Sequence, residues 1–254
     1  MLKEMADRSP MVGVQFAVSS DHLTELRTAW RRADEAGLHS IWLADHLCDL
    51  EGRPQLEVWS LLAAMAIDTS TALIGPLVCC HRFRNPSLLA NIAGTVDRLS
   101  NGRLILGLGA GWFVAEFEAY GYDCGSIGER LDELERDLPT LRSKLNAATA
   151  SHHVVPLLVG GNGERRTLRI AARHADMSNV RCSLSDFTRK VEVLRTWCRR
   201  FDRDYNDVKC TVLLRPNQID EAPEYVRAGA EQVIVPCEPP YDISMAVGVL
   251  TRLT

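Results

Sequence analysis

Residues 101–122 read NGRLILGLGAGWFVAEFEAYGY. Ser100-Asn101-Gly102 is a turn, and the run that follows, Leu104-Ile105-Leu106, is continuously apolar before it passes into Gly107, Leu108, Gly109, Ala110 and Gly111. An apolar run bounded by turn signals is a strand buried on both faces, the kind a parallel sheet requires. Three glycines within five residues let something approach the backbone very closely. Trp112 and Phe113 then add an aromatic wall. Two readings stay open here: the mouth of a pocket for a flat cofactor, or a strand that turns sharply into a helix.

Outward from this stretch, strands and helices alternate. Met11–Val18 is a first strand, followed by a helix with Leu23, Leu26, Trp30 and Ala33 on one face and a stop at Gly37. Ser40–Ala44 is a second strand ending in Asp45-His46, and Glu57–Asp68 is helical. Thr71–Val78 is a third strand interrupted at Gly75-Pro76, since proline cannot donate to a ladder. Asn85-Pro86 opens a helix as cap and first-turn proline. After the fourth strand, Gly128–Leu145 is a helix that Pro139 should kink. Val154–Val159 runs into Gly160-Gly161-Asn162-Gly163 and a helix Glu164–His174. Asp176–Val180, Val208–Leu214 and Gln232–Pro236 are the remaining strands, with helices at Leu184–Phe201, Glu221–Ala228 and Ile243–Leu253. Eight such units without a composition break predict one α/β domain over residues 1–254, a compact (β/α)8 TIM barrel, with a doubly wound open sheet as the alternative.

Composition agrees with a packed enzyme-sized domain. Hydrophobic residues are 46 % and charged residues 24 %, enough apolar material for a large core. A net charge of −4 argues against nucleic acid or an anionic membrane as the main partner. The eight cysteines are scattered without a C-x-x-C pair, so free thiols in a reducing, cytoplasmic setting are expected, and no metal is. Met1–Pro10 is charged and lacks an export-type apolar stretch, and no run reaches membrane-spanning length.

In either architecture ligands bind at the carboxyl ends of the strands. That rule selects Asp45 and His46; Cys79, Cys80, His81 and Arg82; Gly109, Gly111 and Trp112; Gly160, Gly161, Asn162 and Gly163; and Ser178, Asn179 and Arg181. The glycine turn at 160–163, placed at a helix start with Arg165 and Arg166 beyond it, suits a phosphate, though a plain βα turn would also use glycine. Asp45-His46 is the acid–base candidate, against a histidine that merely bonds a neighbouring loop. Cys79-Cys80 is either a vicinal redox pair or two small buried residues at a pocket, and the second reading is preferred. His152-His153 precedes the fifth strand at the opposite end. Trp42 and Trp112 are explained by packing, although Trp112 stands where it could wall a pocket.

The segments IWLADHL (41–47), LIGPLVCCHRFRNPSLLA (73–90), DRLSNGRLILGLGAGWFVAEFEAYGY (97–122) and VPLLVGGNGERRTLRIAARHADMSN (155–179) together resemble the luciferase-like monooxygenase superfamily, and within it the deazaflavin (coenzyme F-420)-dependent oxidoreductases. The resemblance implies a (β/α)8 barrel with the cofactor ring at its carboxyl end and Asp45 and His46 beside the ring. It implies a non-proline cis peptide near Leu77-Val78, Cys79 and Cys80 next to the ring, a phosphate cradle at Gly160, Gly161 and Gly163, and a cofactor contact at Asn179. The sequence departs from that pattern in three places. Trp112 stands where sugar-phosphate dehydrogenases of this type carry a glutamate acid. Leu145 to Val154 leaves almost nothing of a customary long insertion. The region between the seventh and eighth strands is compact, implying a substrate site that is open or completed by a partner subunit.

The expected function is hydride transfer between F-420 and a small organic substrate, with His46 managing the proton and Asp45 orienting it or bonding the ring. An FMN-dependent monooxygenase, a cofactor-binding barrel without turnover, and a metal-dependent hydrolase using Asp45, His46 and His81 are the alternatives, the last the weakest. A homodimer is the expected assembly.

Overall fold

The computed structural model describes residues 10–149 and 153–254. Its strands are β1 (Met11–Phe16), β2 (Ser40–Leu43), β3 (Leu73–Pro76), β4 (Cys79–Cys80), β5 (Leu106–Gly109), β6 (Leu157–Gly160), β7 (Met177–Val180), β8 (Lys209–Leu213) and β9 (Gln232–Cys237). They form one parallel sheet in the order β3-β2-β1-β9-β8-β7-β6-β5-β4. The two ends of that order are pieces of a single barrel strand. Ile74 in β3 bridges Leu104, just before β5, while Cys79 and Cys80 in β4 pair with Leu108 and Gly109 of β5. Nine strands therefore fill eight barrel positions, and the sheet closes on itself. The TIM-barrel expectation holds, and the open sheet is excluded.

The helices are α1 (Leu23–Glu35), α2 (Val58–Asp68), α3 (Pro86–Leu99), α4 (Val114–Ala119), α5 (Ile127–Ala148), α6 (Thr167–His174), α7 (Leu184–Arg200), α8 (Ala222–Arg227) and α9 (Ser244–Leu253). Glu57 caps α2 through Ser60 N, and Asn85 caps α3 through Ser87 N at 2.9 Å, with Pro86 in the first turn as the sequence indicates. Three details differ from the sequence reading. The third strand breaks after Pro76, not at Gly75-Pro76; the cis Leu77–Val78 peptide within the break is the one the family resemblance implies. α6 begins at Thr167 rather than Glu164, because a separate turn intervenes after the glycines. α4 is a further helix, six residues long and too short to show a helical period.

Two cores hold the barrel. The larger lies between strands and helices; the smaller fills the barrel interior with Trp42, Leu77, Ile105, Leu158, Met177, Leu213 and Ile234. Trp42 is a packing residue: a Cβ on Gly13 would lie 3.2 Å from its indole nitrogen, and one on Gly75 3.1 Å from its ring carbon. With the interior filled below, only the carboxyl end is left open for a ligand.

Candidate active site

A cavity of about 620 Å³ lies at the carboxyl end of the strands. Residues far apart in the chain meet on its rim: Asp45, His46, Leu77, Val78, Cys80, Gly109, Gly111, Trp112, Gly160, Gly161, Asn162, Gly163 and Asn179 all line it. Cys79 does not. It is fully buried in the core behind the rim, its Sγ 3.4 Å from Arg84 Nη1, because successive residues of a strand face opposite sides. Burial raises both thiols, Cys80 to about 12, so they are inert small residues rather than a redox pair. His81 also leaves the rim: its Nδ1 lies 3.3 Å from the Gly109 carbonyl oxygen, and burial lowers its pKa. A hydrolase that needs His81 beside Asp45 and His46 loses its third ligand.

Asp45 is held differently from the sequence expectation. Its carboxylate accepts two bonds from Arg84, at 2.7 and 3.1 Å, and Arg84 also reaches Glu57 Oε1 at 2.7 Å. Burial works to raise the Glu57 carboxyl, but hydrogen bonds from Ser60 and Arg84 outweigh it and bring it down. Among the described residues it is Glu116, and not Asp45, that reaches His46: its Oε2 is 3.2 Å from His46 Nδ1, while its Oε1 accepts from the N–H groups of Leu47 and Cys48. Glu116 lies on α4, four residues beyond Trp112. Trp112 is an aromatic shelf, stacked on Phe113 at 5.5 Å and edge-on to His46 at 5.7 Å.

On the opposite rim the turn after β6 is braced from several sides. Asn162 exchanges two 3.0 Å bonds with the backbone of Arg181, and Lys190 Nζ donates to the Asn162 carbonyl at 2.8 Å. Gly161 has φ +138°, and a Cβ on Gly163 would lie 2.8 Å from Thr167 Oγ1. Among the described residues the N–H groups of Asn162, Gly163 and Thr167 have no protein acceptor, and Thr167 and Arg181 line the cavity beside them. Arg166 is turned away to Asp132. Asn179 donates to Thr211 Oγ1 at 2.8 Å and its carbonyl accepts from Gly161 N at 2.9 Å. On the floor, Gln15 Nε2 donates to the Leu77 carbonyl of the cis peptide. His153 sits at the amino end, 3.3 Å from Asp97, and His152 lies outside the described residues.

The family model for luciferase-like monooxygenases matches residues 6–245, nearly the whole chain. The chain belongs to the luciferase-like monooxygenase family. It is 34 % identical over 114 residues to the F420-dependent glucose-6-phosphate dehydrogenase of Amycolatopsis mediterranei, covering 44 % of this chain and 34 % of that protein. It is 31 % identical over 177 residues to the 5,10-methylenetetrahydromethanopterin reductase of Archaeoglobus fulgidus, covering 65 % of this chain and 51 % of the relative. The chain thus spans between a third and half of the length of these relatives. Among solved structures, an F420-dependent secondary alcohol dehydrogenase in complex with an F420-acetone adduct superposes with a TM-score of 0.80 at 14 % identity, over 97 % of this chain and 98 % of that one. At that identity the superposition establishes the shared barrel.

Glu116, Arg84, Gln15 and Thr167 are rim or support residues that the strand-end rule misses, because none follows a strand directly.

Proposed function

We propose that this chain is an oxidoreductase that exchanges a hydride between bound coenzyme F-420 and a small organic substrate, with His46 handling the accompanying proton. One observation carries the reading: a histidine tied to a buried carboxylate and a glycine turn whose N–H groups have no acceptor among the described residues line a single cavity of about 620 Å³, a volume that suits a cofactor of this size.

The residues present fit such a group. Gly161 and Gly163 keep side chains out of the cradle, and the free N–H groups of Asn162, Gly163 and Thr167, the Thr167 hydroxyl and the Arg181 cation together suit a phosphate. Leu77, Val78, Cys80, Gly109 and Asn179 offer a mostly apolar seat for a flat ring. When bound, a deazaflavin supplies the hydride exchange. The chain does the rest. Gln15 and the glycines hold the Val78 bulge in place, Trp112 excludes water on one side of His46, and His46 takes or gives the proton within reach of the substrate. Arg84 neutralises the buried Asp45 so that the rim carries no uncompensated charge there. Two of the proteins named above, the glucose-6-phosphate dehydrogenase and the secondary alcohol dehydrogenase, are F420-dependent by name and support the same cofactor.

Absorbance titration of the purified protein with F-420, and separately with FMN, tests this reading. A saturable spectral change with F-420 is expected; binding of FMN alone, or of neither, overturns the assignment. Replacing His46 by alanine should leave the F-420 titration intact and lower turnover by roughly 10²–10⁴-fold, the usual contribution of a general acid–base group. Thr167→Val should weaken F-420 binding by about tenfold, the worth of one hydrogen bond to a charged group.

A further inference from the structure

Glu116 is more than a nearby acid. Its side chain is 3 % exposed, and Oε1 is fixed by two main-chain donors, the N–H groups of Leu47 and Cys48. The charged and titratable groups around it are already committed or neutral: Asp45 is paired with Arg84, and Cys48 and Cys80 are thiols that burial raises. Among the described residues, no lysine or arginine reaches Glu116. Oε2 is therefore met by His46 Nδ1 alone, at 3.2 Å. An ionised carboxylate can only accept, so against an ionised Glu116 the hydrogen on this contact sits on Nδ1. A neutral imidazole with Nδ1–H carries its lone pair on Nε2. The ring lies edge-on to the stacked pair Trp112 and Phe113, at 5.7 and 6.3 Å, and its side chain remains 32 % exposed beside the cavity. Among the described residues, Nε2 has no protein partner.

We propose that Glu116 is a positioning residue that fixes His46 as the Nδ1–H tautomer and thereby makes Nε2 the proton acceptor presented to the cavity. The inference rests on the assignment of His46 as the proton-handling group. At neutral His46 the site is set to receive a proton at Nε2, and the imidazolium so formed faces the Glu116 carboxylate across the Nδ1–H bond, so the positive charge arrives opposite a negative one already in place. The tie from Oε1 to Leu47 and Cys48 fixes the histidine-bearing loop to α4 at the same time.

The test is ¹⁵N NMR of cofactor-free protein labelled at the histidine rings, at a pH where His46 is neutral, with its signals assigned by their loss in His46→Gln. Wild type should show a protonated, pyrrole-type Nδ1 and a lone-pair, pyridine-type Nε2. In Glu116→Gln the amide oxygen stays on the Leu47 and Cys48 N–H groups, because turning it would set donor against donor. Its NH2 then faces Nδ1, and the two ring nitrogens should exchange their signal types. In the same variant kcat should fall about 10- to 100-fold with KM little changed, the scale seen when a group orienting a functional histidine is lost. A wild-type spectrum with Nε2–H, or a Glu116→Gln spectrum with the wild-type pattern, overturns the proposal. If Glu116→Gln fails to fold, the wild-type spectrum alone decides. Titrating the same sample with F-420 separates the two claims: the expected tautomer without cofactor binding defeats the proposed function and leaves this inference standing.

Discussion

A Cβ placed on Gly109 would lie 2.6 Å from Val78 Cγ2, and one on Gly160 2.7 Å from Val78 Cγ1; on Gly107 it would meet the Pro76 carbonyl at 2.2 Å. The close approach that the glycine-rich stretch announces is thus in part an approach by the chain itself, at the cis Leu77–Val78 bulge. Gly109→Ala should force Val78 aside and cost about 1–3 kcal/mol, as overpacking does. Val78→Ala removes the methyl group in conflict. In the double variant most of the cost should disappear, with a coupling of roughly 1 kcal/mol or more in a double-mutant cycle by urea unfolding. Strict additivity would show that the two side chains do not compete. The residue scale is also where the sequence was least legible. Asp45 and His46 announce themselves as polar residues at a strand end, but Arg84 and Glu116 do not, since each acts through a partner about forty or seventy positions away. Nothing local in FRN or AEF specifies such a contact. Cys79 was misplaced for the opposite reason: two identical neighbours invite one role, and the strand's alternation gives them different ones.

Between residue and barrel, α1 is fastened to the α2–β3 turn by two carboxylates. Asp34 accepts from the backbone N–H groups of Ser70, Thr71 and Ala72 at 2.8, 3.0 and 2.7 Å, and Asp68 accepts from Arg27, Arg31 and the Trp30 indole. Burial acts to raise both carboxyls, yet these hydrogen bonds outweigh it and bring each down to about 2. Because the folded values lie below the unfolded one of about 3.9, the stabilisation is complete above that pH and is lost as the pH falls toward about 2. Asp34→Ala should therefore cost about 2 kcal/mol near neutrality, the scale of hydrogen bonds to a charged group, and the gap from wild type should close between about pH 4 and pH 2. Urea midpoints measured across that range check it, and a gap constant with pH would show that the Asp34 charge contributes nothing. Elements themselves were mostly legible, because eight buried strands each followed by a periodic helix leave a repeated signal in the sequence. What escaped was a piece shorter than that signal, α4, whereas the cis Leu77–Val78 peptide stands where the family resemblance implies it.

For the whole molecule, the cavity rim carries the loops after β2 and β5, joined through Glu116, Tyr120 and the packing of Trp112 on His46, and those after β6 and β7, joined through Asn162 and Arg181. A ligand that spans the rim becomes the tie between loops that the barrel leaves independent. Binding to the folded state alone stabilises it by RT ln(1 + [L]/Kd), about 2.7 kcal/mol when the ligand is at a hundred times its Kd. F-420 at that excess should raise the melting temperature by roughly 5–11 °C for a chain of this size, at about 2–4 °C per kcal/mol. The same addition should slow amide exchange at Leu47, Gly111, Gly163 and Arg181 together, since all four positions lie on or beside one occupied cavity. Protection confined to Gly163 and Arg181 would mean that only a phosphate is held and the ring is not seated against His46. Protection of all four in wild type, with loss at Gly163 alone in Thr167→Val, would show ring and phosphate held by separate parts of one barrel mouth.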